Sequence, residues 1–207
     1  MSFLNSVVAP VLFPSILWHT KNRAVHVTFD DGPHPIATPK VLNILNKRNI
    51  QATFFLVGAN VRRYPEIAVE IVRCGHSIGN HGQNHRALIF KSFGFQQEEI
   101  RGANEEMEEI LNLRPSFFRP PYGYFDGRTL SIARTEDQKV VMWDVDARDF
   151  SATRPAQIPS RVSEQARNGS IILLHDSERT ASTVELYLAQ LLDRIADRGF
   201  EFSALTP

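Results

Sequence analysis

Cysteine is almost missing from this 207-residue chain: Cys74 stands alone, so neither a disulfide framework nor a thiolate cluster can hold the fold or a metal. Any metal must be met by histidine and carboxylate. Charge of one sign is lacking too, since 23 Lys and Arg face 23 Asp and Glu without a long run of either, which makes nucleic acid and anionic membrane poor partners. Long hydrophobic runs are also scarce. The apolar stretch from Val7 to Trp18 is interrupted by Pro10 and Pro14 and has no positive region before it; it is too short to span a bilayer and fails as an export signal. The expectation is therefore no membrane span and a cytoplasmic location. Residues 1–24 are expected to pack on the outside or across one end of a single domain running from 25 to 207. Cys74 ends an apolar-periodic helix and is expected to be a small buried side chain with no catalytic part.

What the chain does have is a β-branched and aromatic run, Val25 to Phe29, that ends in two adjacent carboxylates, Asp30 and Asp31, and a Gly32-Pro33 turn. This reads as a buried strand whose C-terminal edge carries both acids, the edge where parallel α/β folds build their sites. Successive strand side chains point to opposite sides, so one acid can bind a metal while the other faces substrate, unless the turn bends them together. Taken alone, Asp-Asp-Gly-Pro reads equally well as a polar turn.

Strand and helix signals then alternate to the end of the chain. Helices are expected over Ala37 to Arg48, with Thr38-Pro39 as N-cap and first-turn proline, and over Pro65 to Cys74, Phe95 to Leu113, Asp126 to Arg134, Pro155 to Arg167 and Thr183 to Arg198. Between them, strands are expected at Ala52 to Val57, Ser77 to Asn80, Ser116 to Arg119, Lys139 to Trp143, Ile171 to Leu174 and Phe200 to Leu205. The class is α/β with a largely parallel sheet, and about seven units are enough for a barrel.

Three more strand ends carry polar groups. His81 and His85, four apart, can converge on one metal if their segment makes a helical turn. One Asp and two His form a three-ligand set that leaves room for water and substrate, as catalytic sites do. Arg119 precedes a stiff Pro120-Pro121-Tyr122-Gly123 loop, and His175-Asp176 follows four buried aliphatics.

These motifs together resemble the polysaccharide deacetylase family, carbohydrate esterase family 4. Its five motifs occur in order: Thr28 to Pro33, His81 to His85, Arg119 to Gly123, Trp143 to Phe150, and Leu173 to Asp176. The resemblance, which runs from Val25 to the C-terminus, implies a distorted (β/α) barrel and removal of N-acetyl groups from N-acetylglucosamine-containing glycans, such as peptidoglycan fragments or chitooligosaccharides. It implies Asp31, His81 and His85 as ligands of one divalent metal ion, usually zinc, with Asp30 as general base and His175 as general acid. Arg119 is implied as the partner of Asp30, an acid of the fourth motif as the partner of His175, Tyr122 as an oxyanion donor through its backbone, and Leu173 as a wall of the acetyl pocket. For the partner of His175, Asp149 is favoured over Asp146 by its place beside Phe150, the residue that keeps an apolar wall where the family usually has Trp. Gly82 stands where the family usually has Ser or Thr. Two rival readings are a hydrolase of small non-sugar amides on the same scaffold and a non-catalytic glycan-binding domain, the latter opposed by the intact acid, base and ligand set. Oligomeric state is left open.

Overall fold

A computed structural model of the chain describes residues 9–151 and 153–207. After a helical turn α1 (Ala9–Leu12) come β1 (His26–Asp30), α2 (Ala37–Asn46), β2 (Thr53–Leu56), α3 (Gly58–Arg63), α4 (Pro65–Arg73), β3 (Ser77–Asn80), α5 (Phe93–Leu111), β4 (Phe117–Phe118), α6 (Gly127–Thr135), β5 (Lys139–Val140), β6 (Val145–Asp146), α7 (Ile158–Gln165), β7 (Ile171–His175) and α8 (Val184–Asp197). The seven strands pair in the order β5-β4-β3-β2-β1-β7-β6, every pairing parallel. They form one curled sheet, a distorted (β/α) barrel in a single domain.

Alternation along the strands separates two layers. Phe29 and Phe54 are fully buried and stacked at 5.1 Å on the side that packs against Val41, Leu45 and Met107 of the surrounding helices. Burial contributes about 2–3 kcal/mol for each ring. The other side carries Phe55, Phe117, Val141, Ile171 and Leu205 into the barrel interior. That interior is narrow. A Cβ added at Gly79 would lie 2.4 Å from Cδ1 of Phe55, so only glycine at this register leaves the ring its space.

β5 and β6 follow each other in sequence yet lie at opposite edges of the sheet, so Val141 to Asp144 carries the chain across the gap between them. The strand expected over Lys139 to Trp143 therefore stops at Val140. Beyond it, Leu17 of the N-terminal segment pairs in parallel with Val141 and hydrogen-bonds to Val140 and Met142. Its neighbours Ile16 and Trp18 are buried with Leu88, Ile100 and Phe118 between sheet and helices, while Val7 and Val8 of the same apolar stretch lie outside the described residues.

Other local expectations are corrected. The closing strand over Phe200 to Leu205 shrinks to a single bridge between Val25 and Phe202. Leu205 turns instead under the barrel, donating its N–H to Thr53 Oγ1 and accepting from Ser77 Oγ, which takes it out of the ladder. Ile36, not Thr38, stands at the N-cap of α2, where its hydrocarbon side chain cannot cap; His34 Nδ1 accepts from the Ile36 and Ala37 N–H groups instead, and the Thr38 hydroxyl donates to Asp176. α3 begins directly after the residue that follows β2, with no turn signal to announce it. Cys74 is half-buried, and burial together with Glu70 pushes its thiol up, away from nucleophilic chemistry.

Candidate metal centre and acid–base site

Asp30 and His175 are register partners on β1 and β7 and end their strands on the same side of the sheet. Asp30 points inward. Its Oδ1 accepts from Arg119 Nη1 at 2.7 Å, and Arg119 is 0% exposed. A fully buried guanidinium needs every donor answered. Thr28 Oγ1, Val141 O and Met142 O accept its other hydrogen bonds, and the Phe55 ring lies 4.0 Å from its central carbon. The second Asp30 oxygen, Oδ2, faces His81 Nε2 at 3.6 Å.

Asp31 lies one residue past the strand with φ 77°, a left-handed conformation that breaks the alternation and brings its carboxylate round beside that of Asp30. Asn60 of α3 holds the turn by donating to the Asp31 carbonyl at 2.8 Å. Asp31 Oδ1 stands 3.1 Å from His85 Nε2 and 3.6 Å from His81 Nε2. Burial opposes the charge on Asp31, but the two imidazoles that face it outweigh this and hold the carboxyl well below the usual carboxylate range.

The two histidines converge without a helical turn. Residues 81–85 form a loop with left-handed backbone at Gly82 (φ 81°) and His85 (φ 53°), which brings the ring centroids to 5.0 Å. A side-chain hydroxyl at position 82 would be bought with backbone strain, so glycine suits this loop. His81 donates Nδ1–H to the Arg119 carbonyl at 2.7 Å, which fixes the tautomer and leaves Nε2 free as a ligand atom. One donor atom each from Asp31, His81 and His85 lies within 4.8 Å of the others. A carboxylate held anionic and an imidazole with its free nitrogen aimed inward are what a divalent cation requires, so the donor set fits a metal.

On the opposite wall, His175 Nδ1 is bonded to Asp149 Oδ1 at 2.8 Å, and Asp149 Oδ2 accepts from both the His175 N–H and the Tyr187 hydroxyl. Asp146 caps the N–H of Arg148 instead. Burial works against charge on His175, but the hydrogen bond and charge of Asp149, with Asp30 and Asp31 nearby, push it up to about 9. Asp31, His81 and His175 share a cavity of about 430 Å³ walled by Tyr122, Tyr124, Trp143, Phe150 and Leu173. Phe150 sets its ring edge 5.0 Å from His175, and Tyr122 packs 4.6 Å from His85. A larger cavity of about 840 Å³ lies at the other end of the barrel, but its buried His26 is already bonded to Thr20, Asn22 and Ser203.

Eight of the ten expected site residues line this cavity, and the other two, Arg119 and Asp149, lie buried behind it, bonded to Asp30 and His175. Unforeseen were Asn60, Tyr187 and the Asp176–Thr38 pair, a fully buried carboxyl 2.5 Å from the hydroxyl of α2 and packed where a side chain on Gly32 would go. Burial pushes Asp176 well above the usual carboxylate range.

A parallel barrel with an Asp, His, His cluster at its C-terminal strand ends defines a class, the barrel hydrolases assisted by a metal. The sequence profile of the polysaccharide deacetylase family matches residues 19–141. A peptidoglycan N-acetylglucosamine deacetylase of Bacillus cereus is 32% identical over 191 residues, 90% of this chain and 89% of the relative. A chitooligosaccharide deacetylase of Azorhizobium caulinodans is 37% identical over 76% of each chain. Of the peptidoglycan N-acetylmuramic acid deacetylase of Bacillus subtilis, 32% identical, this chain spans 37%. The crystal structure of a peptidoglycan N-acetylglucosamine deacetylase in complex with an N-hydroxybenzamide superposes with a TM-score of 0.86 at 28% identity, covering 95% of this chain and 94% of that one. The chain belongs to the polysaccharide deacetylase family, carbohydrate esterase family 4, whose members depend on a metal. A pseudoenzyme of the same family from Bacillus anthracis superposes with a TM-score of 0.82 at 26% identity, so the fold does not guarantee activity and the side chains must carry it. No helix among the described residues is long and apolar enough to cross a membrane.

Proposed function

We propose that the chain is a de-N-acetylase that hydrolyses the acetamide of N-acetylglucosamine units in peptidoglycan fragments or chitooligosaccharides and releases acetate. The observation that carries this is the pairing of Asp30 with Arg119 and of His175 with Asp149 on facing walls of the cavity that the Asp31, His81 and His85 donors line. Those three residues would hold one divalent ion, zinc being well matched to one carboxylate and two imidazoles. When bound, it supplies Lewis-acid polarisation of the acetamide carbonyl and acidification of water.

The residues do the rest. Asp30, oriented through Oδ1 by Arg119, takes the proton of the attacking water on Oδ2. His175, charged because Asp149 faces Nδ1, gives its Nε2 proton to the sugar nitrogen as the C–N bond breaks, so that the amine and acetate leave. Leu173 and Phe150 enclose the acetyl methyl, and the backbone N–H of Tyr122 serves the developing oxyanion. Asp31 and His85 also border a second cavity of about 460 Å³ toward Arg63 and Tyr64, so there is room on both sides of the donors. An oligosaccharide needs that room; a small amide does not.

The test is incubation with N-acetylglucosamine oligomers, following acetate release and the mass lost when acetyl is replaced by hydrogen. Activity should vanish on chelation and return with zinc. Unchanged oligomers in the presence of zinc, or turnover indifferent to chelation, would refute the reading.

A further inference from the structure

We infer that Glu99 of α5 is a positioning residue that sets metal affinity by holding the backbone just before His85; this rests on the reading of Asp31, His81 and His85 as ligands. Burying a carboxylate is unfavourable unless its charge is answered. Glu99 is 4% exposed, and among the described residues no Lys or Arg pairs with it. Both oxygens go to one residue instead: Oε2 accepts from the Asn84 N–H and Oε1 from Asn84 Nδ2, each at 2.9 Å. Its own carbonyl accepts from the Gln83 N–H at 2.8 Å. One helical residue therefore grips three donors in the two positions that precede His85.

The two histidines differ in how they are held. His81 carries its own restraints, with Nδ1 bonded to the Arg119 carbonyl, its N–H bonded to Leu56 O, and almost no exposure. His85 has a side chain 27% exposed, and among the described residues nothing hydrogen-bonds its second ring nitrogen. Its backbone is left-handed at φ 53°, a conformation that a residue with a side chain keeps only when its surroundings impose it. Tyr122 bears on one face of the ring, and the Glu99 grip on Asn84 supplies the constraint on the chain. A ligand usually oriented through its free ring nitrogen is here oriented through its predecessor's peptide.

The chemistry is specific enough to test. A carboxylate offers two acceptors to two donors; Glu99→Met keeps the volume and removes both acceptors, whereas Glu99→Gln can be met by a flip of the Asn84 amide. For the metal-stripped protein, titrated with zinc against a chromophoric chelator, E99M should weaken affinity about tenfold and alter the cobalt absorption spectrum, with little change in the melting temperature of the stripped form, and the conservative E99Q should stay within about threefold of wild type. Asn84→Asp, at an exposed position that does not endanger folding, sets carboxylate against carboxylate and should weaken zinc at least as much. The double variant N84D/E99Q restores both bonds, the side-chain one with its polarity reversed and the one from the residue-84 N–H unchanged, and should recover affinity to within about threefold of wild type. Glu105→Gln, exposed on the same helix, should change nothing. If charge near the metal were all that mattered, N84D would bind zinc more tightly than wild type, which would overturn the inference, as would a wild-type affinity and cobalt spectrum for E99M. Failure of the wild type itself to bind zinc would bring down the ligand reading along with it.

Discussion

Asp149→Asn tests the site where its electrostatics are most legible. Each oxygen of Asp149 accepts two hydrogen bonds, Oδ1 from Phe150 N–H and His175 Nδ1, Oδ2 from His175 N–H and Tyr187. All four partners are donors, since burial pushes the Tyr187 phenol far up and keeps its proton in place. An amide nitrogen at either position faces a backbone N–H it cannot answer, Phe150 at one and His175 at the other, so the substitution costs about 1–3 kcal/mol at any pH. A second effect depends on pH. In the metal-free protein His175 is raised from 6.5 to about 9. A group whose folded pKa is raised stabilises the fold in full below its unfolded value and loses that contribution as pH climbs through the folded one. Here that is on the order of 3 kcal/mol, present below about pH 6.5 and gone above about pH 9. With the Asp149 charge removed, the pKa of His175 should fall by on the order of 1–2 units and the stability difference between the two ends of this window should shrink in step. Histidine NMR titration and urea unfolding at several pH values measure both. The alkaline limb of kcat/KM should move down with the pKa, starting in the loaded enzyme from below about 9, because a cation beside Asp31 offsets one of the negative charges that raise His175. An alkaline limb and an unfolding profile that stay where they are in D149N would refute the argument.

The neighbouring acids should separate by metal analysis. Asp31→Ala should lose metal and activity together, whereas Asp30→Asn should keep metal while turnover falls roughly 10²- to 10⁴-fold; the reverse pattern would exchange their roles. Packing inside the barrel is tested by Gly79→Ala, whose new methyl meets the Phe55 ring at 2.4 Å. It should cost about 1–3 kcal/mol in a chemical unfolding titration, and a neutral result would mean that Phe55, with Arg119 stacked on it, has somewhere else to go.

Much of this arrangement could be read from residue order, for a physical reason. β1 and β7 are apolar runs that end abruptly in charge, and a buried strand in a parallel sheet leaves such groups only the C-terminal edge to occupy. What could not be read was how the edge turns. Alternation sends Asp30 and Asp31 apart, and only the φ of 77° at Asp31, kept by Asn60 from an unexpected six-residue helix, brings them side by side. Likewise, four-residue spacing suggested a helical turn for His81 and His85, whereas two left-handed residues do the same work in a loop. β5 and β6 escaped as separate strands because two residues each carry too little pattern, and the chain that links them was absorbed into one run. The residues behind the site were hidden for a further reason. Tyr187 lies in the same buried stripe of α8 as Leu188, Leu191 and Ile195, so hydropathy counts it as one more core residue. Its hydroxyl acquires a role only when α8 packs beside β7 and finds Asp149 there, which makes the hold on His175 a product of tertiary register and not of any local motif.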